Sequence, residues 1–143
     1  MSNSVKTTIA NNGYIVHAIK GVSMLPLLRQ NKDAVHIVLP KGRLKRDDIA
    51  LYERKGGILV LHRVVKVLPD SYIIRGDNCT YVEHIKDEQI IGVAEGVYRD
   101  GNYYSCEDRK IARYARRQRL SLPFRKAKKY ASTIKKNLFA MLK

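Results

Sequence analysis

Cysteine is scarce in this chain. The two residues present, Cys79 and Cys106, share no Cys-x-x-Cys spacing, so no disulfide framework is expected and both should be reduced thiols. Histidines are few and dispersed. His17, His36, His62 and His84 lack the spacing of zinc ligands, and neither a metal nor a cofactor is expected. No apolar run approaches the roughly 18 residues that cross a bilayer. The first ten residues are polar and lack the apolar stretch of a signal peptide. The expected location is therefore the cytoplasm or the periphery of the inner membrane face. Aspartate and glutamate, finally, are missing altogether from residues 109–143.

That last absence organises the charge. The chain of 143 residues carries a formal net charge of +15, and residues 109–143 hold 13 of its 28 Lys and Arg. Residues 1–108 net only +2. The excess belongs to a tail and bears on the tail's partner rather than on the fold. The length is that of one domain. It divides into a flexible N-terminus (1–13), a β domain (14–106) and a basic helical tail (107–143).

What is present is a series of short β-type segments. Residues 14–19, 33–39, 48–53, 58–68, 71–75, 89–98 and 103–106 are rich in Val, Ile, Leu and Tyr. Turn signals such as Gly56-Gly57, Pro69-Asp70 and Asp100-Gly101 separate them. The run ILVLHRVVKVL at 58–68 is the longest apolar stretch, and its β-branched content argues a strand. Residues 83–88 are polar and read as a loop or a short helix. Short strands at this spacing predict a mainly β fold, an antiparallel sheet coiled or closed on itself.

From residue 107 the period becomes helical. Ile111, Tyr114, Ala115 and Gln118 fall at helical spacing. Ser121-Leu122-Pro123 is expected to interrupt the helix, with Ser121 capping a second one. Beyond it, Ala127, Tyr130, Ala131, Ile134, Leu138, Met141 and Leu142 form an apolar stripe among lysines, a basic amphipathic helix.

Three elements carry possible chemistry. Ser23 stands in Gly21-Val22-Ser23-Met24-Leu25-Pro26, a sharp turn after the first strand. Alone it is an ordinary turn serine. His62 lies within the most apolar strand, where alone it reads as a core histidine bonded to a carbonyl. Gly76-Asp77-Asn78 breaks the chain after the following strand. Together they suit acyl transfer. A serine hydroxyl needs a base to take its proton. Neutral imidazole is such a base near pH 7. A carboxylate then fixes the imidazole tautomer and stabilises its charged form. Lys66 is the fallback base, because it shares strand parity with His62.

These motifs resemble the type I signal peptidases and their soluble relatives, including self-cleaving repressors. The resemblance runs from about Ile19 to Tyr104. Ser23-Met24-Leu25-Pro26 is similar to that family's Ser-Met-x-Pro nucleophile box. Arg46-Asp47-Asp48-Ile49 is similar to its Gly-Asp-Ile strand, with Asp47 in the glycine position. Leu61-His62-Arg63-Val64-Val65 resembles the base-bearing strand of the Ser-His branch, and Arg75-Gly76-Asp77-Asn78 its Gly-Asp-Asn box. The resemblance implies Ser23 as nucleophile, His62 as general base, Asp77 as structural or catalytic acid, and the Ser23 N–H in the oxyanion hole. The Ser-His branch has a further aspartate six residues beyond the Gly-Asp-Asn aspartate. Glu83 occupies that position here, so the role is kept by a longer side chain or lost. Gly21 stands where many members have a serine donor.

The implied function is a serine endopeptidase acting in trans on a peptide or protein precursor. No Ala-Gly or Cys-Gly pair offers a self-cleavage site. The alternative is a weak or inactive binding module of the same fold. Its tail would be a structural helix, dock on anionic membrane or, less favoured because few aromatics are placed for stacking, bind nucleic acid.

Overall fold

The computed structural model describes residues 2–141. Its elements, in order, are helix α1 (Ser2–Asn12), strands β1 (Tyr14–Ala18), β2 (Asp33–Val38), β3 (Ile49–Arg54), β4 (Ile58–Val67), β5 (Ser71–Arg75) and β6 (Glu83–Lys86), a single 3-10 turn (Asp87–Gln89), strands β7 (Ile90–Arg99) and β8 (Asn102–Ser105), and helix α2 (Arg109–Met141). The strands form one antiparallel sheet in the order β1-β2-β7-β3-β4-β5-β6, with β8 paired to the far end of β7. It is mainly β, as expected, and open rather than closed, since β1 and β6 are unjoined edges.

Each face of the sheet carries a buried apolar cluster, and strand alternation shows how. On β3, Ile49 and Leu51 point into one apolar cluster with Ile9, Met24, Leu28, Val35 and Ile37. Ala50 and Tyr52 point into the other, with Val64, Tyr72, Ile74 and Ile85. A side-chain period of two sends neighbouring residues to opposite faces. β4 inherits this from its register, in which Ala50 lies opposite His62 and Ile49 opposite Arg63. Adjacent residues of one strand thus serve two different environments.

Three expectations change. The N-terminal segment is not a flexible lead but α1. Val5 and Ile9 sit four residues apart, on one helix face, and both are buried in the first cluster. Burying Ile9 contributes about 1.5–3 kcal/mol. Lys6 and Ser2 also reach Glu53 on β3. Residues 83–86 are a strand, β6, paired to β5 with Ile85 opposite Tyr72; the 3-10 turn follows at Asp87. α2 runs through Pro123 without a break, and Ser121 does not cap a second helix: its hydroxyl donates to the Gln118 carbonyl within the same one.

α2 is held to the sheet by polar contacts rather than by its apolar stripe. Arg119 pairs with the Asp47 carboxylate. Arg125 donates to the Asp77 carbonyl and to Gln118 Oε1, and Lys129 Nζ lies 3.1 Å from Thr80 Oγ1. Ala115 closes against the sheet. Leu142 of the expected stripe lies outside the described residues. No described helix is long and apolar enough to cross a membrane.

Candidate active site

The site is built where the β1–β2 connection crosses β4. Ser23 sits in the turn after β1 and is partly exposed, while the next residue, Met24, is anchored in the core at 4 % exposure. A buried anchor beside an accessible hydroxyl holds the turn in place. The Met24 sulfur also accepts the Asp77 N–H at 3.4 Å, and the Asn78 N–H donates to the Ser23 carbonyl at 2.7 Å. The Gly76-Asp77-Asn78 box is therefore physically docked on the serine turn. Gly76 makes this possible. A Cβ there would lie 2.7 Å from the Ser23 carbonyl oxygen and 2.9 Å from His62 Nε2, closer than side chains tolerate.

Ser23 and His62 line one cleft of about 240 Å³, together with Ile19, Lys20, Arg54 and Tyr81. A neighbouring apolar groove shares Ile19, Lys20, Leu59 and Leu61 with it. Among the described residues, neither the Ser23 hydroxyl nor its backbone N–H has a hydrogen-bond partner. A larger cleft, about 630 Å³, opens beneath α2 beside the 40–47 loop, but neither Ser23 nor His62 lines it. The smaller one holds the serine and the histidine singled out by sequence.

His62 is 1 % exposed, and its surroundings fix its tautomer. Nδ1 is 3.0 Å from the Tyr52 hydroxyl, which donates to Glu83 Oε1 at 2.8 Å. Burial, then the hydrogen bond and charge of Glu83, push the Tyr52 phenol well above its ordinary pKa, so it stays protonated. Its single proton goes to Glu83, and its oxygen accepts from Nδ1–H. The lone pair of neutral His62 is therefore on Nε2, the nitrogen beside Gly76 and the serine turn. Burial also pushes the His62 pKa below 6.5, against the opposing charge of Glu83. The ring is neutral at pH 7 and able to take a proton.

Glu83 is the carboxylate that belongs to this histidine. Its Oε1 lies 3.3 Å from Nδ1. Burial works to raise its pKa, but hydrogen bonds from Arg54 and Tyr52 prevail and hold it below the ordinary value. Arg54 Nε donates to Oε2 at 2.7 Å. Glu83 thus reaches His62 both directly and through Tyr52.

Asp77 is elsewhere. It is fully buried and accepts two hydrogen bonds from Arg63, Nε to Oδ1 at 2.8 Å and Nη2 to Oδ2 at 2.7 Å. Arg63 also donates to the Asp47 carbonyl and lies over the Tyr114 ring of α2. Arg63 and His62 occupy opposite faces of β4, so Asp77 is committed to the arginine. Of the residues singled out by sequence, Ser23 and His62 line one cleft without a hydrogen bond between them, Glu83 reaches His62 from behind, and Asp77 is tied to the serine turn only through the backbone of its own turn. Lys66 is exposed and absent from the cleft, because β4 slips register against β5 between Val64 and Lys66 and strand parity is lost there. Tyr52 and Arg54 complete the set around His62 without a local sequence signal: a tyrosine and an arginine in a strand read as packing and solvation.

Among the described residues, no cluster of His, Cys, Asp and Glu is arranged to hold a metal ion. The arrangement has an accessible hydroxyl, a neutral imidazole with a fixed tautomer, and a carboxylate behind it. The chain matches no protein-family model and no curated protein sequence.

Proposed function

We propose that the protein is a serine endopeptidase of the signal-peptidase type, Ser-His branch, which cleaves a peptide or protein precursor in trans. The observation that carries this reading is the shared cleft of Ser23 and His62, with the free lone pair of His62 on Nε2. His62 Nε2 would take the proton from Ser23 Oγ as the oxygen attacks the scissile carbonyl. The unpartnered Ser23 N–H suits the oxyanion that forms. His62 would then return the proton to the leaving amine, and water activated by the same nitrogen would release the acyl group. Glu83 and Tyr52 would stabilise the transient imidazolium and hold the ring in place.

Two unpaired strand edges flank the cleft and support a peptide substrate. Among the described residues, β1 pairs only with β2, and residues 58–61 of β4 pair only with β3. An extended chain laid between them can satisfy its own backbone groups while its side chains enter the apolar groove. Gly21 offers no hydroxyl to the oxyanion, so turnover is expected to be modest. The compartment we propose is the cytoplasm or the inner membrane face, which suits the two free thiols.

The test is a complex peptide library incubated with the protein and read by mass spectrometry for new termini. Cleavage is expected with the wild type and lost, by more than about a hundredfold, in both Ser23→Ala and His62→Ala. Persistence in either variant refutes the mechanism. A wild type that binds peptides without cutting them points to the binding-module alternative.

A further inference from the structure

We infer that the solvent face of α2 docks on an anionic lipid bilayer. Leu120, Phe124, Ala127, Ala131, Ile134 and Leu138 recur at alternating four- and three-residue steps, which places them along one side of the helix. This is the side away from the sheet. Ala115, Gln118, Arg125 and Lys129, which meet the sheet or its loops, fall on the opposite side. The large members of the stripe are conspicuously bare: Leu120 is 65 % exposed, Phe124 78 %, Ile134 53 % and Leu138 60 %. A helix that packs with its polar face and shows its apolar face to water has an unmet partner.

Charge identifies that partner. The stripe is bordered by Arg117, Lys128 and Lys135, in a segment without a single acidic residue. A second copy of the helix would set Lys128 and Lys135 beside their counterparts with no carboxylate to pair them, which opposes self-association. A nucleic acid would meet apolar side chains at the centre of the contact, where phosphate contacts require cations. An anionic bilayer satisfies both features, since the apolar stripe enters the acyl boundary while the flanking lysines reach the headgroups. Docking in this way would leave the cleft across α2 from the lipid, because Thr80 touches Lys129 on the sheet side of the helix while its neighbour Tyr81 lines the cleft.

The test is co-sedimentation of the full chain with vesicles of mixed phosphatidylglycerol and phosphatidylcholine, against vesicles of phosphatidylcholine alone. Binding is expected to the mixed vesicles only. The double variant Phe124→Ser, Ile134→Ser should bind at least about tenfold more weakly, as should Lys128→Glu, Lys135→Glu. All four side chains are exposed, so each variant should keep the wild-type circular dichroism spectrum. Ser23→Ala should bind like the wild type, because the lipid contact does not depend on the serine chemistry. Three outcomes overturn the inference: no binding to mixed vesicles, binding indifferent to loss of Phe124 and Ile134, or a concentration-dependent dimer that the same double variant dissolves. Tighter retention on RNA than on vesicles, unaffected by the apolar pair, overturns it as well.

Discussion

His62 and Arg63 are neighbours on one strand, and each holds a carboxylate, yet the two pairs differ in kind. On one face His62 meets Glu83 through a tyrosine, at the wall of an open cleft. On the other, Arg63 grips Asp77 with two hydrogen bonds, beneath α2 and almost out of reach of water. The sealed pair suits structure. Burial works against the Arg63 charge, and the hydrogen bonds and charge of Asp77 more than offset it, leaving its pKa above the ordinary value. The cleft pair suits chemistry. Its histidine is neutral, its carboxylate is partly exposed, and the tyrosine between them bonds to both. Strand alternation alone divides the two environments.

The largest effect should come from breaking the sealed pair. Asp77→Ala strands a buried guanidinium, which costs about 3–5 kcal/mol, and the urea midpoint should fall accordingly. If Asp77 served His62 instead, the midpoint would hardly move and turnover alone would drop.

Glu83→Gln should show the reverse profile. The variant keeps the shape and loses the charge beside Nδ1, so stability should change by less than about 1 kcal/mol, as for partly exposed pairs. Turnover of a cleaved peptide should fall about tenfold, equivalent to roughly 1.4 kcal/mol of lost imidazolium stabilisation. The pH dependence has a definite sign. In the wild type, kcat/KM should decline as the pH falls through the His62 pKa, which burial sets below 6.5. Glu83 opposes that shift, so its removal should lower the pKa further and move the acid limb to lower pH. A limb that moves upward, or does not move, removes Glu83 from the site.

The contrast also explains what could be read in advance. Strands with dense β-branched residues and glycine-rich turns declare themselves locally, and so did the serine turn, His62 and the Gly76-Asp77-Asn78 box. Partnership did not. Whether Asp77 meets His62 or Arg63 depends on which face of β4 its turn reaches, a tertiary fact with no local signal. The Glu83 contact hinges on Tyr52, whose aromatic ring in a strand looks like core filling, and residues 83–86 become a strand only because β5 offers an edge. α1 was hidden for a similar reason. Its polar, threonine- and asparagine-containing sequence has weak helix propensity, and two buried residues four apart, Val5 and Ile9, hold it. Pro123 marks the opposite failure: the local signal to break was present, and anchoring by Arg119 and Arg125 on either side overrode it.

Asp47 offers the finest test, because it lies on the margin of the sealed region. It occupies the left-handed backbone region, with φ of 77°, where the similar motif has glycine. Aspartate tolerates that conformation better than most residues, at a cost of about 1 kcal/mol. Its carbonyl accepts from Arg63, and its carboxylate pairs with Arg119 of α2. Asp47→Gly would relieve the backbone and keep the carbonyl contact while deleting the Arg119 pair, itself partly exposed and worth at most about 1 kcal/mol. The two effects should nearly cancel, leaving the urea midpoint within about 0.5 kcal/mol of wild type, while limited trypsin digestion cuts α2 faster because one of its anchors is gone. A loss above about 2 kcal/mol would mean that the Asp47 carboxylate is part of the sealed pair itself, and that the boundary between the two faces of β4 lies further out than Arg63 and Asp77.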